Sequence, residues 1–152
     1  MQINDLSLLT LKDIHFAERQ LLKALPEMAF TNHREGTQGQ VEPLQRVFEI
    51  PGKRAAGQTC EPILGLIQEC EELLEEAPAP SAVRDAGLIA RGRAVEHCEM
   101  ARYTTLAAWP QLMQQEKIAA LLRANLAEAE SAEALLTEVA ETSVHSEALA
   151  EA

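Results

Sequence analysis

Residues 94–103 read AVEHCEMARY. Val95, Glu99 and Tyr103 recur every four residues and Leu106 follows three later, so on a helix they share one face. That face is otherwise apolar and must turn inward, which sets Glu99 in a core with Glu96 beside it. Other stretches repeat the arrangement. Glu18 lies on a stripe with Leu11, Ile14, Leu21 or Leu22, and Leu25. His33 shares a face with Gly36 or Thr37, Gln40, Leu44 and Val47. Glu128 falls among Leu121, Asn125, Ala132, Leu135 and Val139. Several carboxylates buried together require a cation or protons to neutralise them. Oxygen ligands with an imidazole suit iron or manganese, and helical bundles build di-metal centres from such residues. There Glu18, Glu96, Glu99 and Glu128 would bridge and neutralise, His33 would supply nitrogen, and an open position would admit oxygen or peroxide.

Each residue alone has an ordinary explanation. Glu96 and Glu99 could pair with Arg93, Arg102 or Arg123, and His33 could be a cap or a surface residue. His97 reads as outward and His15 as peripheral. Cys98, Tyr103 and Trp109 read as packing. The combination of four inward polar positions is what favours a metal site.

These residues need long helices to position them. Ala, Leu and Glu dominate the 152-residue chain, aromatics are only 3%, and no hairpin signal is present, so no sheet is expected. Four principal helices are predicted, over about Leu6–Leu25, Asn32–Glu49, Val83–Trp109 and Ile118–Glu141. A connecting helix covers about Glu61–Glu76. Pro51-Gly52 ends the second helix, Pro78 and Pro80 form a hard stop, Ser81 caps the third principal helix, and Pro110 marks the turn after it. Residues 1–142 then form one domain, and residues 143–152 are read as a frayed tail. Two antiparallel hairpins joined by a helical crossover make an all-α, ferritin-like four-helix bundle. Counting from the turns places Glu18 and Gly36, and likewise Glu99 and Glu128, at similar heights, with a mismatch of about 3 Å in the first hairpin.

The formal net charge of −11 argues against nucleic acid and anionic membrane as partners and suits a site that attracts cations. No apolar run approaches a membrane span, and the N-terminus lacks a signal peptide's basic region. Cys60, Cys70 and Cys98 have no CxxC spacing and read as reduced thiols of a cytoplasmic protein. A flat apolar face left over on so thin a bundle points to a homodimer.

The chain resembles the YciE/YciF-type family of bacterial ferritin-like proteins. The resemblance is carried by LKDIHFAERQLLKALPEMA (11–29), HREGTQGQVEPLQRVFE (33–49), CEPILGLIQECEELLEE (60–76), DAGLIARGRAVEHCEMARYTTLAAW (85–109) and LLRANLAEAESAEALLTEVA (121–140). The pattern VEHxExAxYxTL, Val95 to Leu106, is its most specific part. The resemblance implies a ferritin-like bundle with a carboxylate-rich centre and an association with bacterial stress responses, and it names no reaction. By position, Glu18, His33, Gln40, Glu96, His97, Glu99 and Glu128 match the family's pattern. Some positions depart from it. Gly36 stands where a helix carboxylate is usual, Ala124 and Ala129 replace acids, and Pro43, Gly39, Gly87 and Gly92 weaken helices. These departures support an alternative: a non-catalytic structural or interaction protein that keeps the fold and has lost the metal. The first reading allows a di-metal, oxidoreductase-like activity with no substrate named.

Overall fold

The computed structural model describes the backbone of residues 2–24, 31–52, 55, 57–77 and 81–151, with side chains throughout that range except 22–24 and 31–37. The helices are α1 (Ile3–Ala24), α2 (Thr31–Glu49), α3 (Glu61–Glu76), α4 (Ala82–Leu112), α5 (Glu116–Val139) and α6 (His145–Glu151), with a π-helical turn over Ala140–Val144. Among the described residues there is no strand, as expected from a composition poor in β-branched and aromatic runs.

Spacing at three and four residues accounts for the packing. Leu11, Ile14, Ala17 and Leu21 of α1 are buried, as are Leu44, Val47 and Phe48 of α2 and Val95, Tyr103 and Leu106 of α4. Helix α1 packs on α2 and α4, and α5 packs on the same two helices. The connecting helix α3 lies against α1 and α4. One cavity of about 260 Å³ is lined by Asn4 and Leu8 near the start of α1, Val47 near the end of α2, Pro110 near the end of α4, and Ile118 near the start of α5. So α1 and α5 run one way and α2 and α4 the other.

The expected cap of α4 is in place. Ser81 caps α4, its Oγ accepting from the Arg84 amide at 3.0 Å. Gln114, with φ of 58°, turns the chain from α4 into α5.

Other expectations are corrected. Pro110 does not end its helix, which runs on to Leu112. Gly87 and Gly92 are close-packing positions rather than defects. A Cβ on Gly87 would stand 2.6 Å from Leu73 Cδ2, and one on Gly92 would stand 3.3 Å from Leu136 Cδ1. The glycines let α3 and α5 approach α4. The tail after Thr142 is helical, not frayed. The π-helical turn and α6 pack back on α4, Ala140 joins Ile89 and Leu136 in a small second core, and the Glu151 carboxylate accepts from the Ala82 amide at 2.9 Å. On α5 the inward face is Ile118, Leu122, Asn125, Ala129 and Leu136, whereas Leu135 is 50% exposed and Val139 also faces out. His15 is not peripheral: it is buried, edge-on to Phe48 with ring centroids 5.5 Å apart.

Candidate metal centre

Four carboxylates converge from three helices. Glu18 of α1 and Glu96 and Glu99 of α4 are buried, and Glu128 of α5 is half-buried with its Oε2 fully enclosed. Helix geometry explains the gathering. Glu18 follows Ile14 by four residues, Glu99 precedes Tyr103 by four, and Glu128 follows Asn125 by three, so each rides on a stripe the apolar neighbours force inward.

A hydrogen-bond network ties this cluster to α2. The Tyr103 hydroxyl donates to Glu18 Oε1. Asn125 Nδ2 donates to Tyr103 Oη at 3.1 Å and to the Gln40 carbonyl at 2.9 Å. Gln40 Nε2 returns a 3.5 Å contact to the Asn125 carbonyl. Two carboxylate oxygens, Glu18 Oε2 and Glu128 Oε2, are buried without a hydrogen-bond partner.

The electrostatics follow from that crowding. Burial first, then the charges of Glu96 and Glu128, hold Glu18 well above the usual carboxylate range, against the pull of the Tyr103 hydrogen bond. Burial and the neighbouring Glu18, Glu96 and Glu128 do the same to Glu99. Burial, then Glu128 and Glu133, push Glu96 up to about 8, and burial raises Glu128. Tyr103 is raised by burial, then by Glu18 and Glu99. The arginines that could have neutralised the cluster are engaged elsewhere: Arg93 with Glu133, Arg102 with Asp13, and Arg123 with Glu116.

The fit to a cation is mixed in one respect. Hard oxygen donors with enclosed, unpartnered lone pairs suit iron or manganese. Among the described residues, however, no three His, Cys, Asp or Glu side chains form a ready-made cage. A cation would have to draw the carboxylates together. His33, expected to supply nitrogen, lies outside the described side chains. His97 is not part of the centre; its side chain is 61% exposed and stands 3.6 Å from Glu133. The Tyr103–Asn125–Gln40 network was not anticipated from the sequence, although Tyr103 sits one helical turn beyond Glu99 on the same stripe.

A family model described as a domain of unknown function (DUF892) matches residues 2–149. Protein YciF of Escherichia coli (strain K12) is 34% identical over 158 residues, covering 96% of this chain and 95% of that protein. The crystal structure of the E. coli stress protein YciF superimposes with a TM-score of 0.87 over 95% of this chain and 98% of that one, at 34% identity. YcfI of Rhodopseudomonas palustris, for which a structural role has been suggested, is similar with a TM-score of 0.82 at 37% identity, covering 90% of this chain and 94% of that chain.

Proposed function

The chain belongs to the DUF892 family, and from that premise we propose that it is a ferritin-like, stress-associated four-helix bundle, α1–α2 and α4–α5 being its hairpins and α3 its crossover. Its carboxylate centre takes one or two iron or manganese ions. The observation that carries this reading is the pair of enclosed carboxylate oxygens with no hydrogen-bond partner, Glu18 Oε2 and Glu128 Oε2, on helices from opposite ends of the chain. Such atoms are costly unless protonated or bound to a cation. Glu18, Glu96, Glu99 and Glu128 would hold the metal, with His33 added from the sequence pattern. A bound ion would supply charge neutralisation and redox capacity. The chain's own part is to bind and to exclude water. Tyr103 and Asn125 fix the orientation of Glu18, and the core around Leu106 and Leu122 keeps the centre dry.

A second reading is a protein that keeps the fold without the metal. Two observations favour it: Asn125 and Gln40 close an amide network at core positions, and no described cage is preformed. The suggested structural role of YcfI is consistent with it. Elemental analysis of protein purified without chelator, then after anaerobic Fe(II) or Mn(II) addition, separates the two. Content near one or two ions per chain supports the metal centre, and content that stays substoichiometric overturns it.

The same proposal includes a homodimer and a cytoplasmic location. A groove of about 740 Å³ between α2 and α5 carries Ile50 and Leu121 between Arg46, Glu49 and Lys117. Its mixed charge allows a two-fold partner. Sedimentation at increasing concentration tests the dimer. The location rests on three cysteines without paired spacing; no described helix is long and apolar enough to cross a membrane.

A further inference from the structure

Arg102 turns away from the carboxylate centre into a cluster of its own. Its Nε donates to Asp13 Oδ2 at 2.8 Å. Its Nη1 donates to the Cys98 carbonyl at 3.1 Å and to Cys98 Sγ at 2.6 Å. Its Nη2 donates to Cys60 Sγ at 3.2 Å. One guanidinium therefore holds two sulfurs that are far apart in sequence. Its amino nitrogens are about 2.3 Å apart, so these contacts confine the sulfurs to within about 8 Å of each other.

The two thiols differ in a useful way. Cys60 is the N-cap residue of α3, buried, with no side-chain cap hydrogen bond. Cys98 is partly exposed, so solutes reach it first. Burial holds the Cys60 thiol up at about 11, and Asp13 hydrogen-bonds to it. Cys60 is thus a protonated reserve with a carboxylate at hand. Cys70 is buried on α3, and the cation beside it is Arg91. A cysteine used only for packing behaves as a small hydrophobe and needs no cation. A partly exposed cysteine beside a guanidinium is the setting in which oxidants act on sulfur.

We propose that Cys98 and Cys60 are a dithiol pair oxidised by hydroperoxides to a reversible intramolecular disulfide. Cys98 Sγ attacks a peroxide oxygen. An S–O bond forms, the O–O bond breaks, and the thiol proton leaves with the other oxygen as alcohol or water. Cys60 Sγ then attacks Cys98 Sγ. The S–S bond forms, the S–O bond breaks, and the hydroxyl leaves as water with the Cys60 proton, relayed by Asp13. Two thiols lose two hydrogens in all, and the peroxide is reduced. Closure requires the Cα atoms to come within about 7 Å and Arg102 to swing from between the sulfurs. The bond would pin the start of α3 to α4, one residue from Glu99.

The test uses the full chain, reduced, desalted and exposed to graded hydrogen peroxide. Free thiols are counted and peptides are mapped without reduction. The count should fall from three to one, with Cys60 and Cys98 peptides linked, Cys70 free, and dithiothreitol restoring all three. The melting temperature of the oxidised form should rise by about 5–10 °C, from closing a long loop. Cys60→Ser should stop at a Cys98 sulfenic acid trapped by dimedone, and Cys98→Ser should keep both remaining thiols. The wild-type map decides the matter even if a variant fails to fold. Three thiols surviving peroxide that oxidises free glutathione would overturn the proposal. So would Cys98 over-oxidised without a link, or a link through Cys70 or between chains.

Discussion

Replacing Glu96 with Gln in the metal-free protein should weaken a pH trend that the buried carboxylates impose. Glu96 titrates at about 8 when folded, against an ordinary value of 4.5. A raised folded pKa means that the native state favours the protonated form. Its contribution is fully present below pH 4.5 and is lost as pH rises through 8, because the unfolded chain ionises first. Within that window each pH unit is worth about 1.4 kcal/mol. Acidification from pH 8 to 5.5 should therefore stabilise the metal-free protein by roughly 3 kcal/mol through Glu96 alone. Glu18 and Glu99, raised by burial and by their neighbours, push the same way. Glutamine keeps the shape and carries no titrating proton. Glu96→Gln should flatten the profile by about that amount and raise the melting temperature at pH 8 by roughly 10 °C. With metal bound the same change should destabilise, since a ligand is lost. Thermal and urea unfolding of both proteins in chelator, across pH 5.5–8, is the assay. Parallel profiles would refute the reasoning and place Glu96 in contact with water or a compensating charge.

Three further outcomes are expected. Tyr103→Phe leaves Glu18 Oε1 and Asn125 Nδ2 each short of a partner, and should cost about 1–3 kcal/mol in urea unfolding; a neutral result would mean water replaces the hydroxyl. His15→Leu removes a buried imidazole whose two ring nitrogens have no partner. Burial, then Arg19, hold its pKa below 6.5, so the wild type loses stability as pH falls below that value, and the variant's advantage in melting temperature should widen from pH 7.5 to pH 5. Glu151→Ala removes the carboxylate that accepts from the Ala82 and Val83 amides and should cost about 0.5–1 kcal/mol; unchanged amide exchange in the first turn of α4 would show that α6 does not hold that helix end.

How much of this was legible depended on side-chain size. On α1, Leu11, Ile14 and Leu21 are large and alternate with charged residues, so the stripe that carries Glu18 inward could be read directly, and the same holds for Val95, Tyr103 and Leu106 around Glu99. On α5 the buried face is partly alanine. Ala129 is fully enclosed while Leu135 stands outside; Leu135 and Leu136 are equally apolar, so a stripe drawn through Ala132 selects the wrong one by one position. The tail was hidden for a related reason: a π-helical turn at Ala140–Val144 shifts the helix phase, so α6 shows no continuous stripe. His15 follows Ile14 and gives no sign that Phe48 will cover it. The glycines of α4 looked like defects because the leucines that occupy their space, Leu73 and Leu136, come from other helices. Asn125 and Gln40 were each placed inward, but their pairing joins α2 to α5 across the fold, and only tertiary structure reveals it.

If Glu18, Glu96, Glu99 and Glu128 form the proposed cation site, their carboxylates hold protons when no metal is there. Titration calorimetry of Mn(II) into metal-free protein at pH 7.5, in two buffers of different ionisation enthalpy, tests it most directly. Binding should expel protons from carboxylates raised as Glu96 is. Measurable binding with net proton release is expected in the wild type, and weaker binding with less release in Glu96→Gln. Binding without proton release, or no binding in either protein, would contradict it.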